Sequence, residues 1–142
     1  MKQIIIYMAL KYMSSFIGTR YNWGGDNPLE GYDCSGFAME YLKALGTCKD
    51  DEDHSAASIY NILKSNKKAI ESPKFGCLVF YHRDNGSIYH VEIYAGLGYT
   101  LGASNGGRHI NTESEARAAD AYVKLRRLGD WKYENIKFAM PI

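Results

Sequence analysis

The sequence predicts an α+β fold, in which helices come first and an antiparallel sheet follows. In the first third of the chain, apolar residues recur every three or four positions, the period of an amphipathic helix. After Pro73 the pattern changes to short apolar runs separated by turn residues, which is typical of strands. Separate helical and strand regions favour α+β over an alternating fold. A length of 142 residues fits one domain, spanning 1–142.

Three helices are predicted in the first half of the chain. Each has an apolar stripe at helical spacing, and Gly, Ser or Asp residues mark the ends. A loop rich in Gly, Asn, Asp and Pro separates the first helix from the second. The predicted helices are 2–17, 34–45 and a third that ends near Lys64 and is capped by Asp53 or Ser55, and the loop is 19–33.

The second half is predicted to form strands that follow one another as a meander, with one short helix among them. Runs rich in β-branched and aromatic residues predict the strands, and Asn-Gly and Gly-rich segments predict the turns between them. The predicted strands are 76–82, 88–94, 99–103, 109–110 and 122–128, and the helical segment is 113–120.

Charge and hydropathy exclude several kinds of partner. Seventeen Lys and Arg residues against sixteen Asp and Glu give a net charge of +1, so no overall field attracts a polyanion and no nucleic acid is expected. The longest apolar run, 4–10, is far shorter than the roughly 18 residues of a membrane span. No small-residue cleavage site follows it, so we expect no signal peptide and synthesis in the cytoplasm.

The three cysteines do not suggest a disulfide framework, because an odd number leaves one thiol over. The sequence has no C-x-x-C pair and no H-x-x-x-H spacing, so we expect neither a metal nor another cofactor. Cys48 and Cys77 are predicted to be small hydrophobic residues. Cys34 differs from both because it opens the second predicted helix.

Cys34 and His90 are the candidate catalytic pair. The free N–H groups at a helix start favour a thiolate and can also hold a developing oxyanion. A thiolate nucleophile needs a base within hydrogen-bonding reach, and His90 begins a strand directly after a predicted hairpin turn. A lone Cys in an apolar helix is usually a core residue, and a lone His beside a turn usually lies on the surface. Their combination with the preceding Gly-rich loop favours the catalytic interpretation.

Four segments, in this order, resemble the NlpC family of papain-like cell-wall cysteine peptidases. The resemblance covers nearly the whole chain. It implies a papain-like fold, with N-terminal helices packed on a small antiparallel sheet. It also implies hydrolysis of peptidoglycan stem peptides, usually between D-γ-glutamate and a diamino acid. The segments are 21–25 (YNWGG), 33–37 (DCSGF), 76–80 (GCLVF) and 90–94 (HVEIY).

The same resemblance implies roles for individual residues. Cys34 corresponds to the nucleophile and His90 to the general base. The hydroxyl of Tyr21 is expected near the thiolate, where it assists the oxyanion hole. Asp33 and Ser35 are expected to bind substrate, at the place where family members hold the amine of an N-terminal L-Ala. An Asp at this position can also cap the helix, and the two roles are compatible.

The third catalytic member is where the sequence departs from the family. That residue normally orients the His ring from the next strand, and the alignment places Gly102 there, which has no side chain. Asn105 is our candidate instead, with Ser104, His109, a backbone carbonyl or a water as alternatives. Cys77 also departs from the pattern, because it stands where the family usually has Asp.

Two aromatic residues near the predicted site have two interpretations each. Trp23 either lines the substrate cleft or pins its loop to the core. His82 is predicted to lie nearly opposite His90 across the hairpin. There it either tunes the base or is a surface residue at the end of a strand, and we favour the surface interpretation.

Other functions and partners remain open at this point. Segments 102–107 and 116–125 look similar to phage-encoded family members, which implies release through a phage tail or a holin-dependent lysis system, with the cell wall as the place of action. The same dyad would also serve an N-acetylmuramoyl-L-alanine amidase. Gly102 favours a third possibility, a non-catalytic cell-wall-binding or virion module with a decayed site.

Overall fold

The computed structural model of the chain describes residues 1–128 and 135–142. Three helices precede most of the strands, which confirms the α+β class. The helices are α1 (Lys2–Ser14), α2 (Cys34–Ala44), α3 (Ala56–Ser65) and α4 (Glu113–Ala119). The strands are β1 (Asp26–Asn27), β2 (Gly31–Tyr32), β3 (Ala69–Ile70), β4 (Leu78–His82), β5 (Ile88–Gly96), β6 (Tyr99–Ser104), β7 (Tyr122–Arg127) and β8 (Ile136–Ala139).

The main sheet has the strand order β3-β8-β4-β5-β6-β7, with antiparallel pairing throughout. The predicted meander is therefore present in β4 to β7. The final strand β8 inserts between β3 and β4, a step that the sequence analysis did not predict. Two further differences concern loops. Strands β1 and β2 pair within the predicted loop 19–33, and residues 109–110 form no strand.

The sheet is buried on both faces. Helices α1, α2 and α3 contribute to the larger hydrophobic cluster on one face. A smaller cluster covers the other and consists of Cys77, Val79, Tyr81, Leu128 and Phe138. Burial on both sides explains why β4 reads as a continuous apolar run rather than an alternating one. It also places the Cys77 thiol in the core, where it acts as a small hydrophobic group.

Helix α2 is the element that positions the site. Its inward side chains include Phe37 and Tyr41, both fully buried, and it packs against β5 and β6. Each such side chain contributes roughly 1.5–3 kcal/mol through burial. The Tyr41 hydroxyl donates a hydrogen bond of 2.8 Å to the carbonyl of Gly76, just before β4. These contacts fix the first turn of α2 above the middle of the sheet.

Candidate active site

The structure brings Cys34 and His90 together. Cys34 is the first residue of α2 and is partly exposed, and His90 lies on β5. The two side chains are hydrogen-bonded to each other. Both border an open groove of about 500 Å³. A thiol at the positive end of a helix therefore has an imidazole beside it and an open groove in front, as a cysteine nucleophile would need.

The other side of the His90 ring contacts a carboxylate. Its Nε2 lies 3.0 Å from Oε2 of Glu92, which is only 1% exposed. The two residues are two apart on one strand, so their side chains share a face of the sheet. Four other side chains donate hydrogen bonds to this carboxylate: Tyr81 (2.8 Å), Thr100 (2.9 Å), Ser104 and Arg126 (2.8 and 3.1 Å).

His90 and Glu92 shift each other's pKa. Burial alone lowers the pKa of His90, but the neighbouring Cys34 and Glu92 favour the imidazolium, and the net pKa is raised. Burial raises the pKa of Glu92, but His90, Arg126 and the hydroxyl of Ser104 favour the carboxylate, and the net pKa is lowered. The arrangement therefore favours a protonated His90 next to the charged carboxylate of Glu92.

Tyr21 supplies a neutral donor at the same groove. Its side chain is 3% exposed, and its backbone N–H donates to the carbonyl of Ala121 at 3.0 Å. Burial raises the pKa of Tyr21 far above its ordinary value, and the proximity of Cys34 and Asp33 adds to the effect. The phenol therefore stays protonated and can donate a hydrogen bond.

Asp33 caps helix α2, as one of its two predicted roles requires. One carboxylate oxygen accepts from the N–H of Gly36 at 2.7 Å and from the Ser35 hydroxyl at 3.3 Å. The other oxygen accepts from the N–H of Gly24 at 3.0 Å. Burial raises the pKa of Asp33 and outweighs these hydrogen bonds, which lower it. Asp33 and Ser35 also border the groove, so the cap leaves them at the substrate surface.

Gly36 holds the Gly-rich loop against the nucleophile's helix. A side chain at this position would overlap the carbonyl oxygen of Gly25 and come within 2.9 Å of the capping oxygen of Asp33. The same carbonyl accepts a hydrogen bond of 3.0 Å from the N–H of Asp33. The loop and the first turn of α2 are therefore in direct backbone contact, which only glycine at position 36 permits.

The groove walls differ in charge. Beside Asp33 the groove adjoins a smaller cavity of about 310 Å³, which Asp26 and Asp53 also border. Elsewhere its walls include Arg83 and Arg108. An elongated ligand in this groove would thus meet carboxylates near one part and guanidinium groups near another.

Trp23 lies at the groove, and its backbone is hydrogen-bonded to the core. Its side chain is 49% exposed and borders the groove. Its backbone N–H donates a hydrogen bond of 2.7 Å to the carbonyl of Ile110, which fixes the loop to the core.

Glu92, which the sequence analysis did not single out, is the side chain next to the Nε2 atom of His90, although it lies on the same strand as His90 and not on the next one. Asn105 borders the groove, but its amide donates to the carbonyl of Asp120 at 3.3 Å. The hydroxyl of Ser104 donates to Glu92, and His109 is exposed. The geometry at the ring nitrogen thus favours Glu92 over Asn105. The sequence signal was an acidic residue two positions after His90 in an otherwise apolar strand.

His82 does not lie opposite His90, so that prediction is wrong. A bulge between Tyr81 and His82 shifts the register, and Tyr81 pairs with His90 while His82 pairs with Ile88. The ring of Tyr81 lies 5.3 Å from the imidazole of His90. The Nδ1 atom of His82 instead lies 2.8 Å from the carbonyl oxygen of Arg83.

Two structural observations bear on cofactors and membranes. Among residues 1–128 and 135–142, no group of three or more His, Cys, Asp or Glu side chains is arranged to hold a metal ion. In the same part of the chain, none of the helices has the length and apolar character needed to cross a bilayer.

The described architecture is that of a papain-like domain, with a cysteine at a helix start facing a histidine on an antiparallel sheet. The sequence model of the NlpC/P60 family matches residues 18–127. The chain belongs to the NlpC/P60 family, as the four motifs indicated.

Solved structures with the same fold cover almost the entire chain. The peptidoglycan hydrolase RipB from Mycobacterium tuberculosis aligns with a TM-score of 0.71 at 20% identity, over 99% of this chain and 66% of that one. The P60 domain of the antigen MAP1204 from M. avium subspecies paratuberculosis aligns with a TM-score of 0.70 at 22% identity, over 99% and 97%. These structural similarities support a papain-like fold of the NlpC/P60 type for this chain.

Two of the proteins with similar sequences are named as peptidases. The murein DD-endopeptidase MepH of Escherichia coli is 30% identical over 124 residues, which are 85% of this chain and 45% of that protein. The γ-D-glutamyl-L-lysine dipeptidyl-peptidase of Bacillus subtilis is 33% identical over 99 residues, which are 67% of this chain and 31% of that protein. The chain thus spans less than half the length of these two relatives.

Proposed function

We propose that this chain is a cysteine peptidase that hydrolyses peptidoglycan stem peptides, with Cys34 as nucleophile and His90 as general base and acid. The observation that carries the proposal is the hydrogen bond between these two side chains at the edge of an open groove. The names of two relatives support the substrate class, since one is a murein endopeptidase and the other a γ-D-glutamyl-L-lysine dipeptidyl-peptidase.

The first half of the proposed reaction is acylation. The Cys34 thiolate attacks the carbonyl carbon of the scissile amide, and a C–S bond forms as the carbonyl becomes an oxyanion. The imidazolium of His90 then gives its proton to the amide nitrogen. The C–N bond breaks, the amine leaves, and the acyl group remains on Cys34 as a thioester.

Deacylation restores the enzyme. Neutral His90 takes a proton from a water molecule, whose oxygen attacks the thioester carbonyl. The C–S bond breaks, the peptide leaves with a new carboxyl group, and the thiolate and imidazolium are formed again. One water is consumed for each amide bond cleaved.

The oxyanion of both steps needs hydrogen-bond donors. The N–H groups at the start of α2 would supply donors beside Cys34, and Tyr21, whose phenol is neutral, borders the same groove. One such donor is worth on the order of 10²–10³ in kcat. Helix α2 would therefore stabilise first the thiolate and then the oxyanion that develops beside it.

The charges of the groove support a stem peptide as substrate. The carboxylate of Asp33 is placed to bind an ammonium group, as the free amine of an N-terminal L-Ala would offer. The guanidinium groups of Arg83 and Arg108 suit the free carboxylates that stem peptides carry. This distribution supports our assignment of the scissile bond to D-γ-glutamate and the diamino acid that follows it.

The experiment is a digestion of purified peptidoglycan, both intact and with its stem peptides released by an amidase, followed by mass spectrometry of the new ends. Our proposal predicts a free α-amine on the diamino acid. A freed L-Ala amine would instead identify the amidase that the sequence left open. A freed side-chain amine together with a D-Ala carboxyl would identify a cross-link endopeptidase. No new ends, with the protein sedimenting on the wall, would contradict catalysis and support a binding module.

The hydrogen bond between Cys34 and His90 and the 3.0 Å ion pair between His90 and Glu92 speak against a decayed site, because the proposed nucleophile, base and carboxylate are in contact. We therefore propose action at the cell wall by catalysis rather than binding. Release by a phage tail or a holin stays a prediction from sequence.

A further inference from the structure

The side chain of Glu92 fills the space beside Gly102 on the neighbouring strand, next to the Cys34–His90 pair. We propose that Glu92 is the positioning residue of a catalytic triad, and that it has taken over this role from the facing strand, where Gly102 leaves room for it. The inference rests on the proposed function, since it concerns how His90 works in the same site.

Gly102 leaves the space that the Glu92 side chain occupies. The pairing of Ile93 with Leu101 places Gly102 beside Glu92 on the neighbouring strand β6. A Cβ atom at Gly102 would lie 2.7 Å from Cγ and 3.2 Å from Cβ of Glu92. Any larger residue at 102 would therefore displace the Glu92 side chain. The absence of a side chain at 102, which the sequence analysis took as a sign of decay, is what allows the carboxylate to reach His90.

Both oxygens of the Glu92 carboxylate accept hydrogen bonds from neighbouring strands. Tyr81 on β4, Thr100 and Ser104 on β6 and Arg126 on β7 each donate to it. A buried carboxylate needs such partners, because an unpaired one would cost several kcal/mol. Donors from three other strands fix both oxygens, so the position of Oε2 against the imidazole is predetermined.

Glu92 also determines which nitrogen of the His90 ring carries the proton. A carboxylate at Nε2 requires a proton on that nitrogen, which leaves Nδ1 to exchange a proton with the sulfur of Cys34. Glu92 thereby selects the tautomer and fixes the plane of the ring. It also stabilises the imidazolium that accompanies the thiolate, in the manner of the acidic member of other triads.

The direct test is Glu92→Gln, which keeps the size of the side chain and removes its charge. We expect kcat to fall roughly 10²-fold while KM stays nearly constant, because Glu92 does not touch substrate. The imidazolium should lose its proton at lower pH, so the alkaline limb of the kcat/KM profile should move down by about one unit or more. A variant with the wild-type kcat and profile would overturn the proposal.

The pH profile must be interpreted with every charged or titratable group around His90. These are Cys34 on α2, Tyr81 on β4, Glu92 on β5, Arg126 on β7 behind Glu92, and, along the groove, Tyr21, Asp33, Arg83 and Arg108. Thr100→Val is the matched control, since it removes one hydrogen bond to the same carboxylate but no charge. It should lower the midpoint of thermal unfolding and move the alkaline limb much less than Glu92→Gln does, because the carboxylate keeps its charge.

A readout without substrate separates this inference from the proposed function. The rate at which iodoacetamide alkylates Cys34 at neutral pH should fall in Glu92→Gln. Without the carboxylate, the imidazolium of His90 and the thiolate that accompanies it are less stable. Slower alkylation in a protein that cleaves no peptidoglycan would uphold the role of Glu92 and contradict the peptidase. Unchanged alkylation in a protein that cleaves peptidoglycan would contradict the role of Glu92 alone.

Two further measurements cover the case in which Glu92→Gln does not fold. In the unaltered protein, long-range ¹H–¹⁵N spectra of His90 should show Nε2 protonated across the active pH range. A neutral ring with its proton on Nδ1 would overturn the proposal. The exchange variant, Glu92→Gly with Gly102→Glu, moves the carboxylate to the neighbouring strand. The family alignment expects the third catalytic member on that strand. It should recover part of the activity that Glu92→Gly alone loses, and no recovery in a folded double variant would count against the proposal.

Discussion

Replacing Asp33 by Asn or by Ala separates its two roles, since one replacement keeps a capping oxygen and the other does not. In Asp33→Ala, helix α2 loses its cap, and the N–H of Gly24 and the hydroxyl of Ser35 also lose an acceptor. A cap is worth about 1 kcal/mol and each further hydrogen bond about the same, so we expect a loss of about 2–3 kcal/mol. For a domain of this size, that lowers the melting temperature by roughly 5–10 °C.

Asp33→Asn should be destabilised less, because its amide oxygen can still accept from the N–H of Gly36. Its amide nitrogen, however, faces the N–H of Gly24, so one hydrogen bond is lost. The variant also removes the negative charge next to the groove. A charged hydrogen bond to the substrate ammonium is worth about 1.5–3 kcal/mol, so kcat/KM should fall roughly ten- to 150-fold.

The assay compares two stem peptides, one with a free N-terminal L-Ala and one in which this amine is acetylated. The wild-type enzyme should prefer the free amine, and Asp33→Asn should lose that preference while its melting temperature stays closer to wild type than that of Asp33→Ala. Equal kcat/KM of the wild-type enzyme on both peptides would refute the ammonium site and leave Asp33 as a cap only.

Three other outcomes are expected at the same site. Cys34→Ser should abolish hydrolysis without changing the circular dichroism spectrum, and residual turnover near the wild-type rate would mean that the nucleophile is misassigned. Tyr21→Phe should lower kcat by on the order of 10²-fold with little change in KM, and an unaltered kcat would remove its hydroxyl from the oxyanion hole. Near neutral pH, iodoacetamide should label Cys34 much faster than Cys48 or Cys77, because burial raises the pKa of both other thiols, that of Cys77 to about 11. The labelling is followed over time by peptide mapping. Equal labelling of the three cysteines would contradict a higher reactivity of Cys34.

Local patterns predicted most of the fold. The stripe of α2, the Gly that follows it and the Asn-Gly turn between β4 and β5 depend on near neighbours in sequence, and the structure has them close to their predicted bounds. The insertion of β8 between β3 and β4 depends on pairing between distant segments. Pairs so far apart leave no local pattern, so the sequence analysis placed only the meander.

The same distinction holds in the site. Cys34 and Asp33 are adjacent at a helix start, and their positions there follow from local helix geometry. The position of Glu92 depends instead on the empty space above Gly102 and on donors from three other strands. The bulge after Tyr81 is also a matter of register, which turn residues fix only to within about one residue.

The most direct test of the account is to trap the covalent intermediate. The enzyme is mixed with a stem tetrapeptide, quenched in acid within milliseconds to seconds, and digested for mass spectrometry. The account predicts that the peptide containing Cys34 gains the mass of the acyl part of the substrate as a thioester, and that Cys34→Ala gains nothing and cleaves nothing. Cleavage by Cys34→Ala at the wild-type rate, or an acyl group found on a different residue, would contradict it.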